Sequence, residues 1–185
     1  MKNYFVQYKP FLLFLGKFLL SYLILTFLYQ TYLNQFESKQ NELDGFTQSV
    51  TSQSVAILSL FDNQTYSMPH LKEPSMKFFY HGKYVSRMVE GCNGISVIIL
   101  FASFILSFSG RLAVTIVYII SGSVLIHLLN LIRIILLNVA LFHLPQFEHL
   151  LHDVLFPLFI YGFVFFLWVI WVNKFSFYAK KSVKK

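Results

Sequence analysis

The chain has 185 residues, 56% hydrophobic and only 12% charged, with a mean hydropathy of +0.61 and a formal net charge of +7. Apolar residues in that proportion, gathered into long runs, exclude an ordinary water-soluble domain and point to an integral membrane protein buried in lipid and between helices. The basic excess does not point to nucleic acid, because the Lys-rich C-terminus is a juxtamembrane tail and not a face interleaved with aromatics.

Four apolar runs predict an all-α, polytopic helix bundle that forms a single membrane domain over 1–185. The first, Phe11 to Leu33, gives about 23 residues against the roughly 20 that cross a hydrocarbon core, with Pro10 at the helix start and Lys17 as its one charge. It is longer than the apolar part of a signal peptide and no small-residue cleavage pattern follows it, so it is expected to stay as an anchor. Ile95 to Phe108 is short. Starting that helix at Cys92 and ending it at Ser109 gives about 18 residues, the lower limit of a span. Leu112 to Leu144 is too long for one crossing and contains Asn130, Arg133 and Asn138, so a helix over 112–137 and an interfacial turn at His143-Leu144-Pro145 are expected. The last run, 151–172, crosses again, with Trp168 and Trp171 as interfacial anchors.

Segment 34–91 separates the first two runs. Phe36, Leu43, Phe46, Val50, Ile57 and Leu60 recur at helical spacing and predict an amphipathic helix, although Ser54 to Phe61 also reads as a strand. Pro69 and Pro74 interrupt the chain, and Lys77 to Met88 around His81-Gly82 predicts a short hairpin. With the termini inside, the inner segments hold Lys2, Lys9, Arg111, Lys174, Lys180, Lys181, Lys184 and Lys185 and no acidic residue. The segment 34–91 holds Glu37, Glu42, Asp44, Asp62, Glu73 and Glu90 beside its basic residues. The positive-inside rule therefore places both termini in the cytoplasm and 34–91 outside it.

Cys92 is the one cysteine of the chain, so it has no intramolecular disulfide partner. At 1.5 Å per residue, Cys92 lies roughly 26 Å up the second span, and Arg133 and His152 roughly 32 Å up the third and fourth. On the second span Cys92, Ser96, Ser103 and Ser107 share a face, and on the third Ser123, His127, Asn130, Arg133 and Asn138 do, so both faces are expected to point inward. A thiol, a cation and an imidazole at one depth support thiol acyl transfer, with Cys92 as nucleophile and His152 as acid and base. Glu148, four residues before His152, is placed to hold the imidazole, and Arg133 or the amides of Asn93 and Gly94 to stabilise the oxyanion. His149, beside Glu148, competes with His152 for the acid-base role. His127 reads as a hydrogen-bonded interior histidine; it has no second ligand at i+3 or i+4, and no metal or other cofactor is expected.

The run Glu90-Gly91-Cys92-Asn93-Gly94-Ile95-Ser96, then Asn130-Leu131-Ile132-Arg133-Ile134, then His152 followed by Phe156-Pro157 and Gly162, resembles the Cys, Arg and His core of the exosortase/archaeosortase family over about residues 90 to 173. Size and sequence are similar to the short exosortase F subtype of Bacteroidota. The resemblance implies a transpeptidase of the bacterial inner (plasma) membrane with its active site on the extracytoplasmic side. It implies Cys92, Arg133 and His152 as catalytic residues, the family order favouring His152 over His149. It implies as partner an exported protein ending in a sorting motif, a transmembrane helix and a basic tail, with a surface glycan or lipid as acceptor. The rival expectation is a catalytically silent assembly subunit of a surface export or polysaccharide system, in which Cys92 would be an inert small hydrophobe.

Overall fold

The structure, a computed structural model, describes residues 2–37, 43–71, 73–108 and 110–176. The basic tail carrying Lys180, Lys181, Lys184 and Lys185 lies outside them, as do Lys39, Glu42, Lys72 and Ser109. Helix α1 runs Lys2–Glu37 and α2 Gly45–Leu58; strands β1 (Tyr66–Pro69), β2 (Met76–Tyr80) and β3 (Lys83–Met88) follow, then α3 (Ile95–Ser107), α4 (Leu112–His143) and α5 (Phe156–Ile170). Pro10 sits inside α1 and not at its start.

Three helical stretches are long and apolar enough to cross a membrane: Tyr8–Phe36, Leu112–His143 and Leu150–Phe175. The expected second span differs. Its helix begins at Ile95 and not at Cys92, and its 13 residues rise only about 20 Å against a hydrocarbon core of about 30 Å. The cause is local: Gly94 takes a left-handed φ of 86°, which breaks the helix path, and Asn93 caps the new start by accepting the Ile95 N–H at 2.9 Å.

Helix α3 packs antiparallel to α1, since Asn93 meets Tyr29 and Ser103 meets Ser21. It also runs antiparallel to α4, which it approaches at Gly122, where an added methyl would collide with the fully buried ring of Phe101. α4 continues past the expected end at Leu137 to His143, because Leu137 and Leu141 bury against Phe156 and Asn138 accepts a hydrogen bond from Ser86 at 2.7 Å. From Leu112 to Asn130 this helix rises about 27 Å and from Asn130 to His143 about 20 Å more.

That extra length carries the polar segment. Val50 and Leu58 of α2 and Phe78, Tyr80 and Met88 of the sheet pack on Leu131 and Ile134 of α4, whereas the other half of the bundle closes around Phe101, Ile105, Ile126, Val164 and Trp171. The α2 stretch is helical to Leu58, which rules out the strand alternative, and its buried face differs from the expected one: Thr47, Val50, Thr51, Ser54 and Leu58 point in, while Ile57 and Leu60 are exposed. Thr51 and Ser54 donate their hydroxyls to the carbonyls four residues back, which lets polar side chains lie inside.

The expected hairpin is present and gains a third strand, in the antiparallel order β1-β2-β3. His81 and Gly82, with φ of 50° and 69°, form its two-residue turn, the positive pair that matches strand twist. Asp62 anchors the turn, accepting from Thr65 Oγ1 at 2.7 Å, the His81 N–H at 2.9 Å and the Gln64 N–H at 3.3 Å, with His81 Nδ1 at 3.2 Å. Partial burial pushes its carboxyl up; the hydrogen bonds from Thr65, His81 and Gln64 outweigh this and hold it below the usual carboxylate range.

With the folded pKa depressed, this stabilisation is complete above the unfolded value of about 3.9 and is lost as pH falls through the folded value. The Gly82 amide, which donates to the Gln64 carbonyl at 3.1 Å, is expected to lose hydrogen-exchange protection over that acid window. In Asp62→Asn the protection should already be weak at neutral pH and show no further carboxylate-linked loss; wild-type protection in that variant would contradict the assignment.

Candidate functional site

Cys92 ends a single 3-10 turn, Glu90–Cys92, that joins β3 to α3, and its thiol is free and half-buried. Each neighbour has a geometric task. The Asn93 side chain, in a residue only 2% exposed, donates to Tyr29 Oη at 2.8 Å and Thr47 Oγ1 at 2.9 Å, tying α1 and α2 to the start of α3. Gly94 lies against the Asn130 carboxamide, where a Cβ would come within 3.2 Å. Asn130 in turn donates its Nδ2 to the Cys92 carbonyl at 2.9 Å and accepts a long contact from Arg133 Nη1 at 3.4 Å. The Arg133 Nε is buried and has no hydrogen-bond partner among the described residues.

His152 lies in a π-helical turn, Leu150–Leu155, immediately before α5. Pro157 in the first turn of α5 cannot donate the bond that would reach back four residues to Asp153, and the helix widens at this point. In that turn His152 Nδ1 sits 2.8 Å from Asp153 Oδ1, and His149 Nε2 lies 3.4 Å from the other oxygen of the same carboxylate. The carboxylate that meets the His152 ring is therefore Asp153, whereas Glu148, expected there from its i,i+4 spacing, lines the same cavity as His152.

Cys92, Arg133, Glu148 and His152 line one cavity of about 460 Å³, walled by α4 on one side and β3 on the other. His149 is 87% exposed in its side chain and lines the neighbouring surface with Pro145 and Gln146. The structure thus brings together the three residues expected at one depth and separates His149 from Cys92. Of the groups considered for an oxyanion, Asn93 N–H is committed to the Glu90 carbonyl at 3.1 Å and the buried Gly94 does not line the cavity, which leaves the Arg133 guanidinium. A second, apolar groove of about 410 Å³, lined by Ile132, Leu136, Leu155, Phe156, Leu158 and Phe159, opens between α4 and α5 and shares Arg133 with the cavity.

The expected inward faces hold in part. Ser103, Ser107, Asn130 and Asn138 are buried, but Ser96, in the first turn of α3, is exposed although it shares their face. His127 is hydrogen-bonded as expected, to Gln53 Oε1 at 2.8 Å beside the Phe46 ring, but it is half-buried and its partner is exposed, so it joins α4 to α2 at the surface and not in the interior. Among the described residues, no group of three or more His, Cys, Asp or Glu side chains has metal-binding geometry.

Asn93 and Cys92 are adjacent yet differ in what they hold. Asn93→Ala removes three hydrogen bonds and leaves Thr47 and Tyr29 short of a donor, which should cost about 2–4 kcal/mol. Cys92→Ala should cost well under half of that. Thermal unfolding of the two variants in the same detergent checks the difference, and equal losses would contradict the division of roles.

Compared with protein-family models, with curated proteins and with solved structures, the chain gives no match, so its chemistry rests on its own residues.

Proposed function

We propose that this chain is a membrane-embedded cysteine peptidase and transpeptidase that cleaves a C-terminal sorting signal of exported proteins by thiol acyl transfer. The observation that carries the proposal is the shared cavity of Cys92, Arg133 and His152, contributed by three separate elements. The buried, unpartnered Nε of Arg133 supports it, since a cationic donor without a partner is costly unless something anionic fills its place.

In this reading α3 and the turn before it make the fourth crossing, residues 34–91 lie on the extracytoplasmic side of the bacterial inner membrane, and both termini are cytoplasmic. The Cys92 sulfur attacks the carbonyl carbon of the scissile peptide while His152, through Nε2, takes the thiol proton. Asp153 on Nδ1 fixes that tautomer and steadies the imidazolium. Arg133 receives the oxyanion. Collapse of the tetrahedral intermediate breaks the C–N bond, His152 protonates the leaving amine, and a thioester remains on Cys92. An amine or hydroxyl of a surface glycan or lipid then displaces the sulfur, which returns as thiol. The apolar groove beside Arg133 gives the substrate's sorting helix a path along α4 and α5.

Processing is read as conversion of a membrane-bound precursor with an apolar C-terminal helix and basic tail into a shorter product in the native host. Cys92→Ala and Cys92→Ser should abolish conversion at unchanged protein level. His152→Ala should slow it by about 10²–10⁴ and His149→Ala only slightly. Arg133→Lys should fail nearly as badly as Arg133→Ala, with losses of about 10²–10³, because an ammonium cannot reproduce the planar fork. Normal conversion by Cys92→Ala would sink the enzyme reading in favour of a silent assembly subunit.

A further inference from the structure

Six consecutive residues, Tyr84 to Val89, line the Cys92 cavity. On a strand, successive side chains point to opposite faces, so a cavity over one face would meet every second residue. An unbroken run means instead that the cavity follows the edge of the strand. The sheet order β1-β2-β3 leaves β3 with β2 as its one ladder partner, and the edge facing the cavity is the free one. The facing wall is helix α4, with Ile134, Leu137 and Leu141, whose backbone is already hydrogen-bonded within the helix and cannot pair with a strand. The Ser86 to Asn138 hydrogen bond holds β3 to that helix.

We infer that the free edge of β3 is the substrate-docking site, and that the segment preceding the scissile bond binds there as an added β-strand. The inference rests on the transpeptidase reading for what that segment is. β3 leads through Val89 and the turn Glu90–Cys92 directly to the thiol, so a peptide laid along the edge delivers its end to the sulfur. The lining residues span about 17 Å, room for roughly five extended residues. Main-chain pairing supplies affinity for any sequence, and selectivity comes from the walls: Val85, Met88, Leu137 and Leu141 are apolar, and Arg133, three residues from the Asn130 that holds the Cys92 carbonyl, stands at the Cys92 end. The register shift between Phe78 and Phe79, opposite Tyr84 and Ser86, is the kind of irregularity that keeps a free edge from pairing with a second copy.

Two measurements on the full-length protein in its host test this. Tyr80 and Lys83 flank the two-residue turn and close the ladder as a bonded pair, so alternation turns the Tyr84 N–H toward the free edge. Tyr84→Pro therefore removes an edge donor while sparing the β2–β3 ladder. It should slow conversion of the precursor roughly three- to tenfold, the worth of one lost hydrogen bond plus the bulk of the ring, while iodoacetamide alkylates Cys92 at an unchanged rate. Ser67→Pro, on β1 at the far edge of the sheet, should leave conversion unchanged. Independently, the photocrosslinker p-benzoylphenylalanine placed at Tyr84 in a Cys92→Ala background should give an adduct that mass spectrometry maps to the few residues before an apolar C-terminal helix, and none at Ser67. Wild-type conversion by Tyr84→Pro, equal adducts at both positions, or an adduct mapping elsewhere would overturn the docking site. If the proline variant loses Cys92 alkylation it has misfolded, and the Tyr84 adduct decides. Normal conversion by Cys92→Ala would remove the thiol chemistry but not this docking mode, which stands or falls with the adduct.

Discussion

The hydrogen bond from Asn130 Nδ2 to the Cys92 carbonyl sets the height at which the short helix α3 meets the long helix α4. With Gly94 seated against the same carboxamide and Asn93 bound to Tyr29 and Thr47, the turn before α3 is held from three directions, by Asn130 and Thr47, both almost fully removed from solvent, and by the half-buried Tyr29. Each is a buried polar contact whose loss would leave an orphaned group, so the turn has little freedom to shift. Position of the thiol follows from these neighbours and not from contacts of the sulfur itself.

Because α3 is short, Cys92 does not reach the far ends of the other helices. α4 continues about 20 Å beyond Asn130, and the sheet and α2 pack around that extension and wall the thiol in. The cavity is therefore a recess between a membrane-type bundle and a small α/β cap. Arg133, three residues after Asn130, projects near the same level and touches both the recess and the apolar groove between α4 and α5. One cation thus stands where a polar chamber and an apolar channel meet.

Much of this arrangement was legible because helices have a fixed rise. Counting 1.5 Å per residue from the ends of apolar runs brought Cys92, Arg133 and His152 to one level, and the hairpin at His81-Gly82 followed from the turn chemistry of that pair. What escaped has specific causes. Hydroxyl groups of Thr51 and Ser54 bond to their own helix, so the buried face of α2 does not look hydrophobic, and the apolar Leu60 that seemed to belong to it is 79% exposed. The contact between Asp153 and His152 was hidden because i,i+4 spacing assumes an α-helical turn, and the turn before Pro157 is wider. β1 is a four-residue strand that includes Pro69 and carries no alternating pattern of burial, so it becomes a strand by pairing with β2.

The central claim is that Cys92 becomes acylated by the substrate. Cells processing the precursor can be quenched in acid and the peptide bearing Cys92 weighed by mass spectrometry, with and without hydroxylamine. A fraction of that peptide is expected to carry an added acyl chain that ends at the cleavage point, labile to hydroxylamine as a thioester is and strongly diminished when His152 is replaced by alanine, because the thiol then lacks its base and the leaving amine its acid. An unmodified thiol throughout, in cells where conversion of the precursor proceeds, would contradict it.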